Sequence, residues 1–452
     1  MFKNWERFLP LFLRRQFEGR KNLKKITENI GWLFFDKVLR MGMGLVVGVW
    51  VARYFGPERF GIWNYAMAFS VIFSAIASLG LDSVVVHEIV KNSEKENEIL
   101  GSAFILRLIG GFFSFIISSF IIYIIRPNDT LTFWLVFIFS AGYICNAFMV
   151  LDFYNQAKIK SKYTVISLNS SFILTSLLKV FLIFLKAPVI FFAFASLLEI
   201  VLGMFLMIFF YQKKNSRSIF LWTPLIVNIK KLLKKSWPLM IAFFSYFIYT
   251  KTDQIMLREM VHEKAVGFYS AAYKIYEVPI SLLMIVATSL MPHMMDIYNN
   301  NKSQYYKNYY NLTYISTMSV YLLVVMIFLF KKIIINFTFG EEYLPSSDIL
   351  VVLMIGQVFM FNAFLRSGYL VVSGNQKIIM ITTAISALFN IFLNYILIQR
   401  YGTLGAALST SFAQFLSLVL LNFFFPATRK IFYLQIKSLL IIPYLFKKRI
   451  DK

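Results

Sequence analysis

Cysteine is all but absent from this chain of 452 residues: Cys145 stands alone, so no disulfide framework is available to hold it together. Histidine is scarce too, and His87, His262 and His293 lie far apart, with no Cys/His cluster at metal-ligand spacing. No G-x-x-x-x-G-K-[ST] loop occurs, which removes nucleotide binding by that route. No long polar stretch is available to build a soluble catalytic domain. Charge is also sparse, at 15% of residues, where a soluble domain carries about a quarter. These absences leave an expectation of no cofactor, no metal and no enzymatic activity.

What is present is apolar and arranged in long blocks. Hydrophobic residues make up 59% of the chain, and runs such as Leu131 to Leu151 and Val351 to Val372 reach the roughly 20 residues that a bilayer span requires. The pattern predicts an all-α integral membrane protein with about twelve spans, at 30–53, 61–80, 101–125, 131–152, 163–185, 188–211, 237–260, 267–292, 311–332, 347–372, 378–399 and 403–425. Organisation follows: a tail (1–29), a six-helix bundle (30–211), a basic linker (212–236), a second six-helix bundle (237–425) and a basic tail (426–452). The apolar segment 431–446 is short and contains Pro443, which favours an interfacial position over a span. Phe2, Trp5, Phe8, Leu9, Phe12 and Leu13 recur at helical spacing among basic residues, the pattern of an amphipathic helix on a membrane surface, and no cleavable signal peptide is expected.

The excess of 46 Lys and Arg over 22 Asp and Glu does not read as a nucleic-acid footprint. The basic residues crowd into the first tail (Arg14, Arg15, Lys24, Lys25), the linker (Lys213, Lys214, Arg217, Lys230, Lys231, Lys234, Lys235) and the last tail (Arg429, Lys430, Lys447, Lys448). Alternating helices put all three on one side, which places both termini in the cytoplasm of a cell with the chain in its inner membrane. Lys331 and Lys332 run against the trend.

Two segments repeat. Phe60-Gly61-Ile62-Trp63-Asn64-Tyr65-Ala66 and Val266-Gly267-Phe268-Tyr269-Ser270-Ala271-Ala272 both set a glycine, an aromatic and small residues at the start of equivalent helices. Six helices per half is an even number, so the halves share orientation as a parallel repeat.

Charges inside spans are the candidate functional residues, since a Lys, Arg or Asp at a helix centre costs about 2.5–3.5 kcal/mol on insertion scales. Arg40, Arg107, Lys179, Lys251, Lys274 and Arg366 are candidates for lining a substrate cavity, and Lys37 could snorkel to a surface. Asp36, Glu199, Asp253 and Glu277 are candidates for ion coupling. Asp36 and Arg40, four apart, can pair on one helix face, as can Lys274 and Glu277 three apart; Glu199 has no local partner; Lys251 and Asp253 point to different sides. Basic residues outnumber acidic ones in the set, which suits an anionic substrate such as a pyrophosphate. Gly42, Gly44 and Gly48 in the first helix, and Pro279 in the eighth, are places for close packing or bending.

Several segments, in order along the chain, resemble a known family. Arg53-Tyr-Phe-Gly-Pro-Glu-Arg-Phe-Gly61, Leu79-Gly-Leu-Asp82, Asp253-Gln-Ile-Met-Leu257, Ala265-Val-Gly-Phe-Tyr-Ser-Ala-Ala-Tyr273, Phe339-Gly-Glu-Glu-Tyr343 and Gln399-Arg-Tyr-Gly-Thr-Leu-Gly-Ala-Ala407 are similar to the polysaccharide biosynthesis (O-antigen and capsule) flippases. The resemblance implies the multidrug/oligosaccharidyl-lipid/polysaccharide exporter fold, two bundles arranged as a V and working by alternating access. It implies as substrate an undecaprenyl-pyrophosphate-linked oligosaccharide passed from the cytoplasmic to the periplasmic leaflet by a monomer, with polymerase and glycosyltransferases as pathway partners. It carries over no catalytic residue. A multidrug cation antiporter of the same fold and a membrane polysaccharide polymerase are the alternatives. The basic interior argues against the first and the short outer loops against the second.

Overall fold

A computed structural model of the chain describes residues 21–440 apart from 216 and 217. The amphipathic segment expected over Phe2–Leu13, together with Arg217, Lys447 and Lys448, lies outside the described residues. The described residues form helices and no strand. In chain order these are α1 (Lys21–Ser78), α2 (Leu81–Lys91), α3 (Glu96–Ile125), α4 (Thr130–Cys145), α5 (Val150–Ala157), α6 (Ser161–Phe184), α7 (Val189–Asn215), α8 (Ile226–Met260), α9 (Glu263–Asn300), α10 (Lys302–Phe339), α11 (Ser346–Val372), α12 (Lys377–Tyr401), α13 (Thr403–Leu418) and α14 (Arg429–Leu439).

Among the described residues, nine helical stretches are long and apolar enough to cross a bilayer. The first, Thr27–Lys91, runs for 65 residues and takes in both of the first two expected spans. Within α1 the break falls at Gly56, whose φ of 67° is left-handed, followed directly by Pro57. Helices α8 and α9 are not among the nine. The outward faces of the spans are apolar, as lipid requires: Phe120, Phe181, Phe184, Leu329 and Leu388 are all exposed.

The chain divides into two compact units that do not follow its halves. One holds the described residues up to Gly48 together with Phe73–Phe244; the other holds Val49–Ile72 and the described residues from Ser245 onward.

In the first unit, α3 packs on α4, α6 on α7, and α4 on α7. The last two residues of the second expected span, Leu79 and Gly80, are both at positive φ and turn the chain sharply into α2. There Glu88 is 1% exposed and receives Lys231 Nζ at 2.6 Å and Lys235 Nζ at 2.5 Å. Burial alone raises this carboxyl, but hydrogen bonds and charge from the two lysines outweigh it and hold the pKa at about 2, against 4.5 for a free glutamate. The backbone of Leu225 exchanges hydrogen bonds with the Ser102 hydroxyl, at 3.0 and 3.3 Å. The segment expected as a plain basic linker is therefore partly the first turns of α8, fastened to the body of this unit.

In the second unit α9 packs on α11, α11 on α13, and α12 on α13. Segment Val49–Ile72 belongs here and is fastened at its start by contacts in both directions. Arg53 donates to the carbonyls of Thr338 (2.7 Å), Asn336 (3.4 Å) and Phe337 at the C-terminus of α10, where a cation meets unpaired carbonyls and the negative end of the helix dipole. Tyr343 returns the contact, its hydroxyl donating to Ala52 O at 2.7 Å. The short helix α14, at 11 residues and about 16 Å long, cannot span. It buries Ile431 and Leu434 in a cluster with Tyr305, Tyr309 and Tyr369.

Candidate functional site

Charged residues inside the helices fall into three groups. The first is in the first unit. Arg40, on α1, places Nε 3.0 Å from Asp36 Oδ1, the expected i, i+4 pair. Its guanidinium also reaches Glu199 Oε1 at 3.8 Å, and Lys179 Nζ approaches Glu199 Oε2 at 3.7 Å. Thr175 Oγ1 donates to the same carboxylate oxygen at 3.3 Å. Glu199 was expected to lack a local partner; two other helices, α1 and α6, supply it with three, a convergence that spacing along one helix cannot reveal. The Phe172 ring lies 5.2 Å from the Arg40 guanidinium. Arg40 and Glu199 line a cavity of about 150 Å³ together with Cys145, Ser171 and Met204. Here sit two cations and two carboxylates with side chains roughly a fifth to a third exposed, a polar centre within apolar helices.

The second group is in the second unit. Lys251, Lys274 and Glu277 line one cavity of about 200 Å³, with Trp63, Gln254 and Tyr273 on its walls. Lys251 Nζ lies 5.7 Å from the centre of the Tyr273 ring, and Lys274 Nζ 5.9 Å from that of Phe60. Beside it, Asp253 faces the other way, as its two-residue offset from Lys251 requires. It is 3% exposed and accepts from Tyr269 Oη at 2.6 Å, Asn394 Nδ2 at 2.5 Å and the Thr410 hydroxyl. One carboxylate thus ties α8, α9, α12 and α13 together. Its neutral partners were missed in the sequence because an Asn or Thr in an apolar run raises no charge signal.

The third group lines neither of these cavities. Arg366 is 2% exposed, with Nε donating to Asn422 Oδ1 at 2.5 Å and Nη2 to Thr382 Oγ1 at 2.9 Å. Asn422 passes the chain on to Gln435 of α14 at 2.9 Å. Arg107 pairs with Asp82 at 3.1 Å and lies 4.9 Å from the Phe153 ring. A Cβ on Gly42 would touch nothing within 4 Å and one on Gly44 only Phe172 at 3.8 Å, so close helix packing is not the use of these two here. Pro279 lies inside α9.

These features define an all-helical membrane protein with charged cavities inside its bundles. The polysaccharide biosynthesis protein family profile matches residues 26–298, more than half of the chain, and the chain belongs to that family. A MatE profile also matches residues 238–396. The putative O-antigen transporter of Shigella flexneri is 24% identical over 88% of this chain and 97% of its own. The capsular polysaccharide biosynthesis protein CapF of Staphylococcus aureus is 19% identical over 88% and 99%. Among solved structures, the lipid II flippase MurJ in an inward closed conformation superposes with a TM-score of 0.70 at 18% identity, over 93% of each chain. The all-α membrane fold that was expected is the one observed, with nine helical stretches among the described residues, against the twelve spans expected, long and apolar enough to cross a bilayer.

Proposed function

We propose that the protein is a flippase that moves an undecaprenyl-pyrophosphate-linked oligosaccharide from the cytoplasmic to the periplasmic leaflet for surface polysaccharide assembly. Membership of the polysaccharide biosynthesis protein family supports this reading, as do the transport and flippase roles in the names of the similar proteins. The observation that carries it is the placing of cations at two cavities inside apolar helices: Arg40, joined to Lys179 through Glu199, at a charge-balanced one, and Lys251 with Lys274 against Glu277 at one whose lining is net positive. Cations held there offset the cost of taking a pyrophosphate out of water, while the prenyl chain stays in lipid. A carrier of cationic drugs would need the opposite balance.

In this reading the chain crosses the inner membrane twelve times with both termini cytoplasmic, acts as a monomer, performs no chemistry and works by alternating access. It receives its substrate from glycosyltransferases and passes it to a polymerase. Arg40, Lys179, Lys251 and Lys274 contact the anionic head group. Asp36 and Glu199 hold Arg40 and Lys179 in place and release them as substrate binds. Asp253, buried among oxygen and amide groups, is the place for coupling to a monovalent cation, and Glu277, in the cavity on the other side of α8, is the second candidate. Arg366 and Arg107, each fastened to neighbouring side chains, serve the fold.

The test is transport by the purified protein in liposomes. A fluorescent undecaprenyl-pyrophosphate oligosaccharide should change leaflet with the wild type and at least tenfold more slowly with the Arg40→Gln, Lys179→Gln double variant. Equal rates for protein-containing and empty liposomes would overturn the proposal.

A further inference from the structure

Three helical faces build the second unit's cavity, each by helical periodicity. On α1, Phe60, Trp63, Asn64 and Met67 stand at i, i+3, i+4 and i+7; on α9, Ser270, Tyr273, Lys274 and Glu277 do the same; on α8, Lys251 and Gln254 are three apart. Two of the polar groups on this wall have no hydrogen-bond partner among the described residues. Gln254 is 5% exposed and Ser270 4%. Among the described residues, nothing hydrogen-bonds the Ser270 hydroxyl, and no bond to the Gln254 amide occurs beside it. Buried polar groups are rarely left so, because each one unpaired is costly. Neither group is needed to hold the helices, which Asp253 and its partners do from the opposite face of α8.

The remaining wall is aromatic and charged. Trp63 and Tyr273 offer flat apolar faces next to hydrogen-bonding groups, a combination that fits a ring with one apolar face and a rim of hydroxyls. Lys251 and Lys274 face this space with one carboxylate, Glu277, so its lining carries a net positive charge. At about 200 Å³ the space falls short of the roughly 300–1,000 Å³ of drug-sized pockets.

We propose that this cavity is a carbohydrate subsite that takes one sugar ring bearing a carboxylate. Gln254 and Ser270 bond the ring hydroxyls, Trp63 and Tyr273 cover its apolar face, and the lysines meet its carboxylate. The inference rests on the flippase reading and specifies what the head group carries.

The test uses the full chain in nanodiscs with three probes: undecaprenyl pyrophosphate alone, the same lipid carrying a glucose-terminated disaccharide, and its glucuronate-terminated counterpart. Wild type should bind the glucuronate form at least tenfold tighter than the glucose form, and the glucose form tighter than the bare lipid. Gln254→Leu with Ser270→Ala should bring both glycolipids to the level of the bare lipid, whose own binding stays within twofold. Lys251→Gln should bring the glucuronate form to the level of the glucose form, each read relative to that variant's own binding of the bare lipid. A wild type that binds the bare lipid as well as either glycolipid overturns the subsite, as does a Gln254→Leu, Ser270→Ala variant with unchanged preferences. Equal binding of the glucose and glucuronate forms overturns the carboxylate assignment. Failure of all three probes to bind would bring down the flippase reading and the subsite with it. Thermal melting of each variant confirms that it is folded.

Discussion

Gly61 and Gly267 need each other's segments bare. A Cβ on Gly61 would lie 1.9 Å from the carbonyl oxygen of Glu263, and a Cβ on Gly267 would lie 2.0 Å from that of Pro57. The two glycines hold equivalent places in the sequence repeat, and each lets its helix start pass against the backbone that precedes the other. The contact is reciprocal, as a two-fold relation between repeated segments would make it. It sits where two motifs of the family meet a third: Phe60 and Phe268 both pack edge-on against Tyr343.

Alanine at either position should therefore be costly. Gly267→Ala or Gly61→Ala forces backbone apart and should lower stability by about 1–3 kcal/mol or more, read as a lower melting temperature of the purified protein. Gly42→Ala, which meets open space, should be neutral or gain up to about 1 kcal/mol from better helix propensity. Equal effects at all three positions would contradict the packing.

Glu88 should make stability acid-sensitive in a defined window. Its pKa is depressed in the folded chain, so its contribution is complete above 4.5, its unfolded value, and is lost as pH falls toward about 2. The difference in melting temperature between wild type and Glu88→Gln should be constant above about pH 5.5 and shrink through that window. A difference that persists unchanged at pH 2.5 would mean that the ion pairs with Lys231 and Lys235 contribute nothing.

Arg366→Ala should act through the fold. It strands Asn422 and Thr382 in the core and loosens α14, at a cost of about 2–4 kcal/mol for hydrogen bonds to a buried charge. Protein level and melting temperature should fall, while transport per folded molecule stays within about twofold. A stable variant with transport lost would return Arg366 to the substrate path.

Glu199→Gln should do the reverse. Arg40 and Lys179 lose the carboxylate they share, and their charges are no longer held in register at the cavity. Transport should drop at least tenfold with protein level close to wild type, and Glu199→Asp should recover part of it. Unchanged transport would remove this carboxylate from the mechanism.

Much of this architecture is written in features that a single chain exposes. Apolar blocks mark the helices, and i, i+4 spacing marks the Asp36–Arg40 pair. Gly56-Pro57 marks the break in α1. What the sequence withholds is any contact between helices distant along the chain. The partners of Glu199, the clasp around Asp253 and the anchoring of Arg366 all join segments separated by tens of residues, using neutral Asn, Thr and Gln that look ordinary in an apolar run. The boundary of the units escaped for the same reason: Arg53 reaches carbonyls 283 to 285 residues away, and no local pattern records that. Gln254 and Ser270 carry no charge at all; only their burial without partners brings them forward.

The most direct test of the central claim is made in cells that lack this protein, with lipid-linked oligosaccharide and surface polysaccharide assayed together. The account predicts complete lipid-linked units accumulating on the cytoplasmic leaflet while surface polymer disappears, both restored by the wild-type gene and not by the Arg40→Gln, Lys179→Gln variant. Normal surface polymer with no accumulated intermediate would contradict it.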